Sequence, residues 1–412
     1  MSKVLGIIAE YNPFHNGHLF HLTKSEAAVT PDYTVCIMSG TFAQRGDTSI
    51  INKWSKAQAA INSGIDLVIE LPTIYSISSA ENFALGAIKI LDSLKMNTTL
   101  SFGSEAGDML ILNKFADVLY NEPKEYVSLL NHELSKGLSF PKARENALLM
   151  YLSDIRKYNI LSSSNNILGI EYLKAIRKLK SKVIPITVKR ENTEYNSTDI
   201  VNNFASATAI REMICKNKSV RNLMPENSYS VLSNDIAHGK IVPNLQKFEK
   251  EIIFTLRKMS IEEIADLPDV SEGLEYNIKN AVNSCNNLSD LISLIKSKRY
   301  TQSRIQRILL YALIGITKQD MEDSKKVTPY IRVLGMNGNG KKLLSEIAKA
   351  NKKLTIITSV KKYMDEVKDK NKDKILKNML LTDIHATDIY TLGYEFESSA
   401  NLDYTQKIII EE

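Results

Sequence analysis

The chain has 412 residues, of which 43% are hydrophobic and 24% charged, with a net charge of +6. That length holds two or three domains with substantial cores, and the balance is that of an ordinary globular protein. No uninterrupted apolar stretch reaches bilayer length, no signal-peptide pattern precedes the first strand, and the small positive excess permits a polyanionic partner without demanding one. Cys36, Cys215 and Cys285 are far apart and lack CxxC spacing. They are expected to be reduced thiols of a cytoplasmic protein, not a zinc ribbon.

The first predicted strand, Val4–Ala9, ends in an Asn12-Pro13 turn, and His15-Asn16-Gly17-His18 then opens a helix-like stretch. A helix start carries unpaired N–H groups and the positive end of its dipole, so it favours anions such as phosphates. Gly17 permits close approach of a nucleotide to the backbone. Two imidazoles there are suited to donating hydrogen bonds to phosphate oxygens as charge develops. Three of the six histidines (His15, His18 and His21) fall within seven positions. A metal site is the alternative, but it wants a carboxylate or thiolate partner and only Glu10 is near. A plain capped helix start is the other.

Further β-branched runs follow at Tyr33–Met38, Asp66–Leu71, Thr98–Phe102 and Val183–Val188, separated by helical patterns that include Lys53–Ser63 and Ala80–Leu94. Near-continuous apolar strands between helices predict an α/β fold, a parallel sheet covered on both faces with its ligand beyond the carboxyl ends of the strands. His15–His18, Gly40 and Gly103-Ser104-Glu105 all follow such ends. Ser162–Asn166 reads as a loop capping a helix at Ile167–Leu179. Ser206-Ala207-Thr208 before Ile210-Arg211 reads as a helix N-cap. Its hydroxyls, its N–H groups and Arg211 suit a second phosphate cradle; a plain helix start with a solvated arginine is the alternative.

From Lys247 to Leu313 the pattern is helical and includes Lys298, Arg299, Tyr300, Arg304 and Arg307. This stripe suits a nucleic-acid backbone with Tyr300 stacked on a base, and a solvated basic face explains it equally well. Pro329–Glu412 returns to mixed signals, with strands at Tyr330–Leu334 and Leu354–Thr358 around a helix at Lys341–Ala350, then a charge-dense, exposed Lys361–Lys374. Two motifs are decoys. Gly335–Lys342 imitates a P-loop but has no Ser or Thr after the lysine, and Lys258-Met259-Ser260 runs into a capping box, Ser260-Ile261-Glu262-Glu263. The organisation expected is a sheet domain over 1–220, a helical region over 221–325 and a smaller mixed α/β region over 326–412.

The ordered set Glu10-Tyr11-Asn12-Pro13-Phe14-His15-Asn16-Gly17-His18, Met38-Ser39-Gly40, Gln44-Arg45-Gly46, Asp66–Pro72, Phe102-Gly103-Ser104-Glu105, Asn165–Gly169, Ser206-Ala207-Thr208 with Ile210-Arg211, and Lys298–Thr301 with Arg304 resembles the bacterial tRNA(Met) cytidine acetate ligase family. That family is a branch of the HxGH nucleotidyltransferases. The resemblance implies a Rossmann-like domain in which acetate attacks the α-phosphorus of ATP, giving acetyl-adenylate and pyrophosphate. The wobble cytidine of elongator tRNA(Met) then takes the acetyl group on N4, without acetyl-CoA. Magnesium is expected to arrive with ATP, with no protein ligand named for it. His15 and His18 are the implied catalytic pair. ATP binding is implied for Ile8, Ala9, Glu10, Tyr11, Asn12, Pro13, Phe14, His15, Asn16, Gly17, His18, Leu19, Phe20 and His21, with Gly103, Asn165, Arg190 and Glu191. Ser206, Thr208 and Arg211 fit the departing pyrophosphate by their chemistry, and Lys298, Arg299, Arg304 and Arg307 are the candidates for tRNA phosphates. Two other readings stay open: adenylyl transfer to a small phosphorylated metabolite, and a non-enzymatic RNA-binding protein.

Overall fold

A computed structural model of the chain describes residues 1–152, 160–190, 204–297, 299–367, 371–397 and 399–411. The first five predicted strands are present as β1 (Lys3–Ala9), β2 (Tyr33–Ser39), β5 (Leu67–Leu71), β6 (Asn97–Ser104) and β7 (Ile184–Lys189). β3 (Phe42–Ala43) and β4 (Asp47–Thr48) form a small antiparallel hairpin. β8 (Ile331–Met336), β9 (Ile356–Ile357) and β10 (Ile409–Ile410) come from the C-terminal stretch. The main sheet runs β10-β8-β5-β2-β1-β6-β7, with β9 also beside β8.

The strands β5-β2-β1-β6-β7 are mutually parallel, with Ile7 opposite Cys36 on one side and Ser101 on the other. Side chains alternate between two hydrophobic cores because strand periodicity is two. Val4, Val35, Ile37, Leu67 and Ile69 enter one core with Phe83, Ile88 and Leu91 of the Ala80–Ser93 helix. Leu5, Ile7, Cys36, Met38 and Val68 enter the other with Leu22 of the Asn16–Val29 helix and Trp54 of the Lys53–Ile61 helix. This two-sided burial is why the strands read as unbroken apolar runs. The chain builds β2 and β5 on one side of β1, then crosses to build β6 and β7 on the other. The crevice of such a sheet lies at that switch, beyond the carboxyl ends of β1 and β6.

The C-terminal stretch is mixed α/β, but its strands extend the N-terminal sheet instead of forming a separate one. β8 pairs antiparallel with β5, placing Val333 opposite Ile69. A fully buried ionic cluster fastens this junction: Lys53 contacts Glu70 (3.0 Å) and Asp403 (2.7 Å), while Arg332 contacts Glu70 (3.0 Å) and also Asp403. The helices Glu249–Lys258, Leu274–Ser284, Leu288–Ile295 and Gln302–Ile314 pack Ile252, Ile278, Leu291 and Ile308 into the first core.

Three local expectations change. The predicted strand Leu354–Thr358 is only the two-residue β9. The helix expected from Ile167 spans Ser164–Leu179, because a remote carboxylate supplies its cap: Glu105 accepts from the Asn166 N–H (3.0 Å) and the Asn165 amide (2.7 Å). The helix expected from Lys341 spans Gly338–Ala350 with Asn337 as N-cap, so the imitation P-loop is a strand end running into a helix start, and Lys341 and Lys342 are exposed. Ser260 and Glu263 do form a capping box.

Candidate active site

Past β1 the backbone turns at Tyr11 through a left-handed φ of 46°. Asn12 fixes the turn: its amide donates to the Thr48 carbonyl (2.9 Å) and its Oδ1 accepts from the Ile50 N–H (2.7 Å). Arg211 Nη1 donates to the Asn12 carbonyl (2.9 Å), and Arg211 Nη2 reaches Thr208 Oγ1 (3.4 Å). Beneath the turn Lys56 is fully buried, donating to the carbonyls of Glu10 (2.9 Å) and Ser39 (2.7 Å) and to Ser49 Oγ (2.9 Å). Burial draws its pKa down to about 7, against the pull of Glu10 and Glu70.

His15 is the N-cap of the Asn16–Val29 helix, and His18 reciprocates as the other half of a capping box. The Gly17 N–H donates to His15 Nδ1 (3.0 Å), and the His15 N–H donates to His18 Nδ1 (3.3 Å). Each ring thus accepts at Nδ1, which assigns its proton to Nε2. The rings stack with centroids 3.8 Å apart, and His18 meets Tyr11 edge-on at 4.9 Å. Burial, then the charges of Arg190 and Arg211, lower the His15 pKa to about 3. Burial, then His15 and Arg190, hold His18 well below its ordinary value. At neutral pH the site presents two uncharged imidazoles as Nε2–H donors. Gly17 also leaves room for the His15 ring, because a Cβ there would lie 2.9 Å from His15 Cε1.

These groups face a cavity of about 790 Å³ at the sheet switch. The cavity brings together Ile8–Asn12, His15, Gly17, His18, Phe20, His21, Gly103, Asn165, Arg190, Ser206, Thr208 and Arg211, all expected at the site. Ser206 is the N-cap of the Ala207–Cys215 helix, accepting from the Ala209 N–H (3.1 Å). Arg190 N–H extends the β6–β7 pairing to the Ser104 carbonyl (2.9 Å), so its side chain packs beside Gly103.

Four of the expected nucleotide residues do not line the cavity. Phe14 is core, 4.6 Å from the Tyr11 ring, and Leu19 packs against that same core. Pro13 is buried in the turn, and the Asn16 amide donates to the Asn222 carbonyl (3.0 Å). Glu191 and Lys298 lie outside the described residues. His21 Nε2 is 3.2 Å from Ser101 Oγ, and among the described residues no group of three or more His, Cys, Asp or Glu is placed to hold a metal ion.

The basic stripe is largely turned inward. Arg304 donates to the Asp269 carbonyl (2.6 Å and 3.0 Å) and sits over Tyr300, with its guanidinium 5.0 Å from the ring centroid. Arg307 pairs with the Asp269 carboxylate (2.9 Å) and is buried. Tyr300 is also buried, which excludes the expected base stacking. Arg299 is exposed and paired with Glu272 (2.9 Å). Sequence reasoning missed the wall made by Gln44, Arg45 and Asp47 of the β3–β4 hairpin and by Gln302, Ser303 and Gln306 of the helical region. The Gln44-Arg45-Gly46 motif was the available signal for the hairpin. The helix side has none.

The HIGH Nucleotidyl Transferase family model matches residues 2–405. The tRNA(Met) cytidine acetate ligase of Caldanaerobacter subterraneus subsp. tengcongensis is 44% identical, over 99% of both chains. That of Acetivibrio thermocellus is 43% identical, over 99% of this chain and 100% of its own. The crystal structure of Thermotoga maritima TmcAL superposes with a TM-score of 0.93 at 35% identity, covering 99% of each chain. The same protein bound with alpha-thio ATP gives 0.91 at 34% identity, again over 99% of each. With the landmark residues present from the first strand to the helical region, the chain belongs to the tRNA(Met) cytidine acetate ligase family of HIGH nucleotidyl transferases.

Proposed function

We propose that this chain activates acetate with ATP and acetylates the wobble cytidine of elongator tRNA(Met). The observation carrying the first step is the stacked pair of neutral imidazoles, each with Nδ1 occupied by a backbone N–H, at a helix start beside Arg190 and Arg211. An acetate oxygen attacks the α-phosphorus, the bond to the bridging oxygen breaks, and pyrophosphate leaves with the electron pair. Such a step asks for positioning and charge stabilisation more than for covalent help. His15 and His18 supply preorganised donors to the phosphate oxygens. The hydroxyls of Ser206 and Thr208, with Arg211, suit the leaving pyrophosphate. In the second step cytidine N4 attacks the acetyl carbon. AMP departs with the electron pair of the broken C–O bond, and the N4 proton passes to AMP or water.

Of the carboxylates lining the cavity, Glu10 accepts the Gln44 N–H at Oε1 (2.7 Å), and Asp47 accepts the N–H groups of Thr48 and Leu245 at Oδ1 (2.9 Å each). Magnesium is expected to enter with the ATP substrate, held by phosphate oxygens. Activation by ATP makes acetyl-CoA unnecessary. Among the described residues no helix is long and apolar enough to cross a membrane; a cytoplasmic site of action, where ATP and tRNA meet, completes the reading. Incubation with ATP, labelled acetate and bulk tRNA, followed by digestion, tests it. Label is expected in N4-acetylcytidine. Label trapped only as adenylate points to a different acceptor, and no acetate-dependent ATP turnover rejects the reading.

A further inference from the structure

We propose that Gln302 and Gln306 form the subsite that receives the acceptor base, an extruded cytosine, and read its Watson–Crick edge. This rests on the acetyl-transfer reading above. Among the described residues lining the cavity, those beyond Arg211 are Gln302, Ser303 and Gln306. They belong to one face of the Gln302–Ile314 helix. The remaining wall comes from the sheet region that carries the imidazoles and the phosphate-binding candidates.

Three anchors fix the rotation of this helix. Ile305, Ile308 and Leu309 are in the core, and Arg304 and Arg307 are bound to Asp269 on another side. The third anchor is Gly46, whose φ is +78°. It lies so close to the helix backbone that a Cβ would be 2.5 Å from the Arg307 nitrogen. The β3–β4 hairpin thereby sets Gln44 and Arg45 into the same cavity. Gln44 is committed, donating its amide to the Ser78 carbonyl (3.0 Å). The amides of Gln302, exposed, and Gln306, half-buried, have no hydrogen-bond partner among the described residues.

A free carboxamide matches cytosine. Its oxygen accepts a hydrogen of the exocyclic amine while its N–H donates to ring N3, the pairing that glutamine and asparagine use on amino-bearing base edges. RNA bases in single-stranded loops are read on these edges after being splayed into a pocket. Uracil carries a carbonyl where cytosine has its amine, so it offers neither the hydrogen nor the nucleophile. Accepting one amine hydrogen also orients the nitrogen for attack.

The test uses the full chain with Gln302→Ala, Gln306→Ala and the double variant. None removes a core contact or a bond within the protein, and thermal melting checks this. Two anticodon stem-loops are compared, one with cytidine and one abasic at the wobble position. The wild type is expected to bind the cytidine form about tenfold more tightly, in line with one bidentate base contact. The double variant is expected to bind both alike and to lose at least about tenfold in kcat/KM for acetyl transfer. Acetate-dependent ATP–pyrophosphate exchange, which needs no acceptor base, keeps its KM for ATP. Retained discrimination between the two stem-loops overturns the proposal. So does a raised KM for ATP in the exchange, which assigns the amides to the nucleotide. A wild type that exchanges pyrophosphate but acetylates no tRNA rejects the underlying reading first, before the variants are compared.

Discussion

The two imidazoles owe their properties to one local arrangement. Each lends Nδ1 to a backbone N–H of the helix start, so its remaining nitrogen is a donor, and burial keeps the ring uncharged. His18→Ala is expected to lower acetate-dependent ATP–pyrophosphate exchange by about 10²–10³-fold, the scale for loss of one preorganised donor. The pH dependence of stability follows from the same burial. Below pH 6.5 an unfolded histidine takes a proton, while folded His15 does not until about pH 3. The unfolded state binds more protons in that window, so stability falls as pH drops through it and is flat for this group above it. Each pH unit is worth up to about 1.4 kcal/mol for such a group. Urea titrations at pH 5 and pH 7 are expected to show a larger stability loss in the wild type than in His15→Gln. The histidine pair was legible because its spacing after an apolar run is itself a pattern. Gln302 and Gln306 were not, because isolated amides in a helix leave no periodic trace. Arg304 and Arg307 were legible only as charge. Whether an arginine meets solvent or a distant Asp269 is decided by tertiary contact.

Among the elements, the β3–β4 hairpin and the Gln302–Ile314 helix form one unit through Gly46. Gly46→Ala meets both a left-handed φ and a backbone neighbour that cannot yield. It is expected to cost about 1–3 kcal/mol of stability and to weaken acetyl transfer to tRNA more than pyrophosphate exchange. Thermal melting and the two half-reaction assays measure this. Equal loss in both half-reactions contradicts the assignment of this unit to the acceptor. Arg307→Ala leaves the Asp269 carboxylate without its partner and is expected to destabilise the chain, a role different from phosphate contact. The five parallel strands were legible because burial on both faces forces continuous apolar runs. The two-residue β10 was not, and β9 was legible only as a longer Leu354–Thr358, since so short a segment carries no period. The early start of the Ser164–Leu179 helix depends on Glu105, a cap from a distant position that local capping rules do not see.

For the molecule as a whole, the ionic cluster of Lys53, Glu70, Arg332 and Asp403 joins the last strands to the first sheet. Removing one member strands a buried charge, so Asp403→Asn is expected to cost about 3–5 kcal/mol by urea unfolding. This junction was not legible because Lys53 and Glu70 lie hundreds of residues from Arg332 and Asp403, and each looks unremarkable in its own segment. The site likewise belongs to the assembled chain: the sheet region supplies the imidazoles and the phosphate-binding candidates, and the helical region lines the cavity with two amides. The account rests on the imidazole pair meeting the reacting phosphate. A crystal structure of this chain with an acetyl-adenylate mimic carrying a sulfamate in place of the phosphate addresses that directly. Sulfamate oxygens about 3 Å from the Nε2 atoms of His15 and His18 are the predicted result. The adenine nucleotide bound elsewhere, or seated in the cavity with neither ring touching it, contradicts the account.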